Sequence, residues 1–491
     1  MKKLFLYSAC AALIVAAVTG ATSCKKILDQ EPYNSTYTGA YFKTELDAKT
    51  ANAGAYALLR KALLNDMSWH TYGDIPSGEL VCDNDAWHSA ITSGQFTGLN
   101  VQSHNWNWQQ YYQILQQINL IITKVPDIDE GLFNSESKNH IIGEGYFLRA
   151  YVYFYMSRIW GDVPLKLEPD LDVTTVKNIP RSPADSVLDQ CLADVAKAES
   201  LLDWGYTDES QRAVRANKGS AYALEAHIRA WRHDYAGSEK AADQVITQGG
   251  YSLLDSMNYK KVFIGKSMEG IFEINISDAQ SEGIAIYDYD GNLNQAGYTM
   301  KDPYITNKDG LQWWTNTDYI NTLWDNSDTL NDVRYRDFFH FPKLENNGQI
   351  IKYSNIAYVS SSNMILSNNL PIFRLADIML LRAEALVALG RKSEALPLLN
   401  AVRERAGLDD KLISDDLETI VLEERLRELY FEGQSYYDLV RTKKITVYNQ
   451  HFPSEQFSNG DPSGGWLWPV DPNMFKDDPT LVQTPYWRGK L

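Results

Sequence analysis

Between residues 44 and 64 the apolar positions Ala51, Ala55, Leu58, Leu59 and Ala62 recur at three- and four-residue intervals, the spacing of one face of an α-helix. The same period returns over 108–124, 137–160, 183–202, 218–232 and 238–248, separated by polar or Gly/Pro-containing stretches. The first half is therefore expected to be mostly α. Two stretches, 221–246 and 375–405, each read as helix, short turn, helix, broken at 233–237 and at 390–393. In the second, Leu375, Ile378, Met379, Leu386 and Leu389 line one helix, and Ala395, Leu398, Leu399 and Val402 line the next. Small residues at the contacts fit the tetratricopeptide hairpin.

Between these pairs the pattern changes. Over 251–371 the helical period gives way to Gly, Asn, Asp, Ser and aromatics, with short strand-like runs such as 270–276. A long insertion of this kind in a compact body is often functional. The stretch 450–491 is irregular and punctuated by prolines. The expected fold is mainly α: tetratricopeptide-like helix pairs forming a superhelical scaffold, with a loop-rich insertion containing short strands. The expected division is a helical half at 44–250, the insertion at 251–371, helices at 372–449 and an irregular C-terminal segment at 450–491, all in one body.

The opening residues follow another logic. Lys2 and Lys3 precede an apolar run over 4–18, and Ala21-Thr22-Ser23 places small residues before Cys24. This pattern predicts an export signal over 1–23, followed by a tether over 24–43. The apolar run is too short to span a bilayer, which takes roughly 20 residues. Ala-x-Ser-Cys resembles a bacterial lipobox and marks Cys24 for lipidation; two or more acyl chains give stable anchoring. Removing the signal takes Lys2 and Lys3 with it, moving the formal charge from −17 to −19. That balance argues against nucleic acid as a partner. Only Cys82 and Cys191 then remain besides Cys24, compatible with one disulfide or two buried thiols and too few for a metal framework.

Candidate chemistry is dominated by rings. There is no His-Glu-x-x-His, Gly-x-Ser-x-Gly, Walker loop or Cys-x-x-Cys, and no cofactor is expected. The run Asp288-Tyr289-Asp290-Gly291-Asn292 fails the EF-hand register and reads as an Asp-Gly turn, so no metal is assigned. The chain carries 13 Trp and 30 Tyr, many of them in polar loops. One group is Trp69, His70, Tyr72, Asn84, Asp85, Trp87, His88, His104, Asn105 and Trp106. Another is Tyr287, Tyr289, Tyr298, Tyr304, Trp313, Trp314 and Tyr319. Aromatic faces stack on the C–H face of a pyranose while amides and carboxylates bond its hydroxyls. Trp87, Trp313 and Trp314 are the first binding candidates, with Tyr287, Tyr289, Tyr298, Asn84 and Asp85 beside them. Trp108 and Trp324 sit among apolar neighbours and are assigned to packing.

Several strings, in order, resemble the SusD/RagB family: Trp108, Tyr111, Ile114 and Asn119 on one helix; Gly143-Glu-Gly-Tyr-Phe-Leu-Arg-Ala150; and Trp160-Gly-Asp-Val-Pro-Leu165. Arg374-Leu-Ala-Asp377, Leu399-Asn-Ala-Val-Arg-Glu-Arg-Ala-Gly407, Glu423-Glu-Arg-Leu-Arg-Glu-Leu429, Phe431-Glu-Gly433 and Trp468-Pro-Val470 follow. Gln483-Thr-Pro-Tyr486 departs from the usual Gln-Asn-Pro-Gly-Tyr. The resemblance implies a non-enzymatic lipoprotein of the outer membrane, facing outward. Such a protein captures glycans for a SusC-like TonB-dependent barrel. A peptide cargo, as in the RagB branch, a lipoprotein glycoside hydrolase and a repeat adaptor are the competing readings. The strings themselves read as scaffold. Phe147, Leu148, Ala150, Tyr153 and Phe154 pack, Arg425, Glu428 and Glu432 form a solvated or interhelical ion network, and Gly433 is a helix C′ cap.

Overall fold

The computed structural model describes residues 41–97, 103–172, 174, 176–206, 208–277, 295–306, 308–324, 328–341, 348–360, 363–457 and 464–491. Cys24 with its signal and tether through residue 40, Tyr287, Tyr289 and the 288–292 run lie outside the described residues. Thr44–Leu491 forms one compact unit.

The longer helices are α1 (Glu45–Leu64), α2 (Gln109–Lys124), α3 (Lys138–Trp160), α4 (Ala184–Leu201), α5 (Lys218–Trp231), α6 (Tyr235–Gln248), α7 (Leu375–Ala388), α8 (Lys392–Ala406) and α9 (Leu417–Glu428). A capping box starts α1: Thr44 Oγ1 accepts from Asp47 N, and the Asp47 carboxylate accepts from Thr44 N at 2.9 Å. Its buried stripe of Ala48, Ala51, Ala55, Leu59 and Ala62 lets α2 approach closely enough for Gln117 Nε2 to reach Ala51 O at 2.9 Å. From Ile141 onward α3 is buried on nearly every side, as expected of a helix apolar all round. Arg149 on α3 grips Asp194 of α4 with two bonds of 2.7 and 2.8 Å and donates to Asn119 of α2 at 3.1 Å. The arginine and asparagine of the recognisable strings are thus one three-helix rivet.

The two hairpins, α5–α6 and α7–α8, lie far apart in sequence yet stack directly, α6 on α7. Ile246, Tyr251 and Leu253 pack on the core formed by Leu375, Leu380, Leu386, Leu399 and Val402. His227 bonds Asp377 at 2.8 Å and Arg382 bonds Glu239 at 2.9 Å across this junction. The start of α6 falls three residues earlier than its apolar period predicts, because Asp234 caps it by accepting from Gly237 N at 3.0 Å.

The chain between the hairpins leaves and returns through an antiparallel ladder, with Gly270–Ile274 paired to Leu370–Arg374 from Arg374↔Gly270 to Leu370↔Ile274. Every residue of both strands is buried. Of the two networks expected for the charges nearby, solvated or interhelical, the structure has the second. Arg425, Glu428 and Glu432 are buried rather than solvated. Arg374 donates to Glu432, Glu269 and Glu428 at 2.6 to 2.9 Å. Arg334 holds Asp332, Glu424 and Glu428 at 2.7 to 2.9 Å. Arg405 adds Glu269 at 3.0 Å and Glu428, and Lys352 caps Glu432 and Tyr430 O. Glu269, Arg334 and Lys352 belong to the insertion, so this seam fastens it to α8 and α9. Burial would push Glu428 up, but the guanidiniums of Arg405, Arg374 and Arg334 hold it well below the usual carboxylate range.

The expectation for Gly433 is corrected. The helix before it ends at Glu428, and Phe431 and Gly433 take φ of +59° and +69° in a separate turn. That turn aims Gly433 N at the Asp74 carboxylate, 2.8 and 2.9 Å away. A Cβ there would lie 2.3 Å from the Trp69 ring, so close approach as well as φ requires glycine. Cys82 and Cys191 are buried and unpaired. Among the described residues no helix is long and apolar enough to cross a membrane.

Candidate functional site

A two-residue ladder brings the two aromatic loop groups together. Leu80–Val81 pairs with Trp314–Thr315, Leu80↔Thr315 and Val81↔Trp314. Asn316 extends the seam, its N–H reaching Glu79 O at 2.9 Å and its Nδ2 reaching Gly78 O at 2.8 Å. Asn84 Nδ2 adds a bond to Leu311 O at 2.9 Å.

Asp85 closes the junction. Its Oδ2 accepts from Trp313 Nε1 at 2.8 Å and lies 2.6 Å from His88 Nδ1; its Oδ1 accepts from Trp87 N at 3.0 Å. Burial pushes the Asp85 carboxyl up, but the bonds from His88, Trp313 and Trp87 N–H outweigh it and hold the pKa below its ordinary value. The carboxylate therefore stays charged as a fixed acceptor. Around it, Tyr298 covers Trp313 at 4.2 Å between centroids, and His88 meets the same indole edge-on at 5.1 Å.

This arrangement sorts the predicted residues. Trp313 is fully buried, which corrects the expectation of an exposed ring face there; its indole N–H holds Asp85 instead. Asp85 is 5% exposed and already accepts within the protein. Tyr298 is half-buried against Trp313, and Asn84 is exposed with its amide nitrogen engaged. Trp87 is 52% exposed and Trp314 partly exposed, leaving these two indoles available. Of the wider ring groups, Trp69, His70, Tyr72 and Tyr319 are buried, with His70 stacked on Phe431 at 3.8 Å. Trp108 and Trp324 are buried as expected of packing residues. The Asp85–His88 pairing was signalled by its i, i+3 spacing; the bond from Trp313 had no local signal.

One described cluster approaches metal-ligand spacing: Glu136, His140 and Glu144. Arg215 occupies it, bonding Glu136 at 2.9 Å and Glu144 at 2.6 Å, while Tyr56 donates to Glu144 at 2.8 Å. Both carboxylates thus already have a cation.

A family model described as "SusD family" matches residues 286–487, and another, "Starch-binding associating with outer membrane", matches residues 26–229. SusD-like protein P38 of Formosa agariphila is 28% identical, over 96% of this chain and 98% of that protein. A solved SusD homolog from Bacteroides thetaiotaomicron superposes with a TM-score of 0.76 at 26% identity, covering 90% of this chain and 98% of that one. A laminarin-binding SusD-like protein shares the fold with a TM-score of 0.72 at 21% identity, covering 90% and 100%. The helix-pair scaffold, the ordered strings and these matches along nearly the whole chain make this protein a member of the SusD/RagB family.

Proposed function

We propose that this protein is a non-catalytic cell-surface lipoprotein, anchored through Cys24, that captures oligo- or polysaccharide and delivers it to a SusC-like TonB-dependent outer-membrane transporter. The observation that carries the reading is the Asp85 junction, which clamps two aromatic loops and leaves Trp87 outward on a fixed base. A loop backbone held in place before binding has less freedom to lose on contact, and a broad indole face complements the C–H face of a sugar. Family membership and the laminarin-binding relative support the glycan class.

The test is calorimetric titration of the full chain in detergent with a polysaccharide panel that includes laminarin and starch, with peptides alongside and product analysis of each mixture. Saccharide binding that Trp87→Ala plus Trp314→Ala abolishes is expected. Product formation would overturn the non-catalytic reading, and binding of peptides alone would move the cargo to that class.

A further inference from the structure

We infer that the protein carries a second saccharide site, sharing no lining residue with the Asp85 junction, in the cleft between the first turn of α2, residues 164–166 and 177–179, and the C-terminal segment 474–481. The cleft encloses about 360 Å³, within the range of roughly 300–1,000 Å³ typical of small-molecule sites and enough for about one or two sugar rings. None of its lining residues belongs to the Asp85 junction, so the inference rests on its own geometry.

Its floor is apolar and held in place. Tyr112 is half-buried, and its hydroxyl is tied to Pro164 O, which fixes the ring; Leu481 and Met474 continue the surface. Trp108, 3% exposed, backs Tyr112 at 6.4 Å and serves as support. The rim is polar and of both signs. Lys177 and Asp477 stand exposed at the mouth with no ion-pair partner among the described residues, beside the amides of Gln109 and Asn178. Asn178 Nδ2 reaches Asp477 O at 3.5 Å and so joins residues 177–179 to the C-terminal wall.

The class of ligand follows from this mixture. An anion would meet Asp477 and Asp478 as well as Lys177, while Lys166 is already paired with Asp170. A wholly apolar ligand would leave the rim amides and charges desolvated. A neutral saccharide gives its C–H face to Tyr112 and hydroxyls that both donate to Asp477 and accept from Lys177.

Met474 lines the cleft and Trp87 does not, so its methyl supplies a local reporter. The full chain, labelled at its methionine methyls, is followed by nuclear magnetic resonance, with Met474→Leu identifying the peak. Probes at millimolar concentration are maltose, cellobiose, lactose and chitobiose, with inorganic phosphate and trialanine as contrasts. At least one disaccharide is expected to shift the Met474 methyl saturably, phosphate and trialanine not at all. Lys177→Ala plus Asp477→Ala, both at exposed positions, should weaken that binding at least ~10-fold. Trp87→Ala plus Trp314→Ala should leave it unchanged, which separates failure here from failure of the main reading. The inference is overturned if no disaccharide moves the peak, if trialanine or phosphate moves it equally, if the rim variant binds undiminished, or if the Trp variant abolishes the shift.

Discussion

The seam around Arg374 and the junction around Asp85 both bury charge, and they use it oppositely. At the seam, cations and carboxylates from the insertion, α8 and α9 satisfy one another inside the protein, all nearly solvent-free. At Asp85 a single carboxylate gathers an indole N–H, an imidazole and a backbone N–H, with Trp87 left outside. The family strings run through the seam, at Arg374, Arg405, Glu424 and Glu428, and bypass the junction. The strings record how the insertion is fastened, whereas the proposed ligand-facing surface lies in loops outside them. A buried ion network is costly to break from one side but adds little over apolar packing, so its value here is in fixing one arrangement.

That contrast is broken most strongly by Glu428→Ala. It strands Arg374, Arg405 and Arg334 without a shared acceptor, and removal of one partner from a buried ion network costs about 3–5 kcal/mol. Urea unfolding should show that loss, while ligand affinity per folded molecule stays as in the parent. A loss below about 1 kcal/mol, the range of exposed pairs, would mean the seam is solvated.

Glu273, in the ladder at the base of the insertion, sharpens the same point through pH. Burial pushes its carboxyl up to about 7, and Oε1 has no hydrogen-bond partner. Because the folded pKa exceeds the ordinary 4.5, the folded state holds the proton longer, so stability falls as pH rises from about 4.5 to about 7 and then levels. Glu273→Gln keeps an acceptor for Lys266 N and Asn369 Nδ2 and removes the titration. Above pH 7 the variant should be more stable by up to about 3 kcal/mol, shrinking to nothing near pH 4. A parent curve that is flat across this window would exclude the raised pKa.

At the junction the expected effect is smaller and of another kind. Asp85→Ala leaves Trp313 Nε1–H and its companion donors without an acceptor, a cost of about 2 kcal/mol, and also frees the Trp87 backbone. Amide exchange across 84–96 should accelerate, with saccharide affinity falling too. Unchanged exchange with lost affinity would make Asp85 a direct ligand contact.

How much of this was legible depends on range. The helices were readable because caps and period are local: Thr44 with Asp47 announces α1, and alanines at contact positions announce the hairpins. The strand at 270–274 was readable as a strand, but its partner at 370–374 lies far along the chain, beyond any local pattern. Trp313 and Trp314 illustrate the limit. Neighbours at a strand alternate faces, so one indole of the pair goes in and the other remains partly out, and the register Val81↔Trp314 decides which. Nothing within the dipeptide encodes that choice. Buried charge at Glu428 was likewise unreadable, since the i, i+3, i+7 spacing from Arg425 is the same whether the face meets water or the insertion.

The smallest expected effect isolates the ring from its support. Trp87 is 52% exposed and only its backbone N–H joins the Asp85 junction, so Trp87→Ala keeps that bond and should change stability by no more than about 0.5 kcal/mol. If the indole face is a contact for sugar, affinity should still fall by about 1.5 kcal/mol, roughly tenfold, and Trp87→Phe should recover part of it because a flat apolar ring remains. Trp313→Ala should do the reverse, opening a cavity beside Tyr298 and His88 and lowering stability before affinity. Thermal unfolding and calorimetric titration of the same three variants give both axes. If Trp87→Ala and Trp313→Ala fell on one line, with affinity tracking stability, the division of labour between the inward indole and the outward one would be wrong, and the surface that meets the ligand would have to be sought away from this junction.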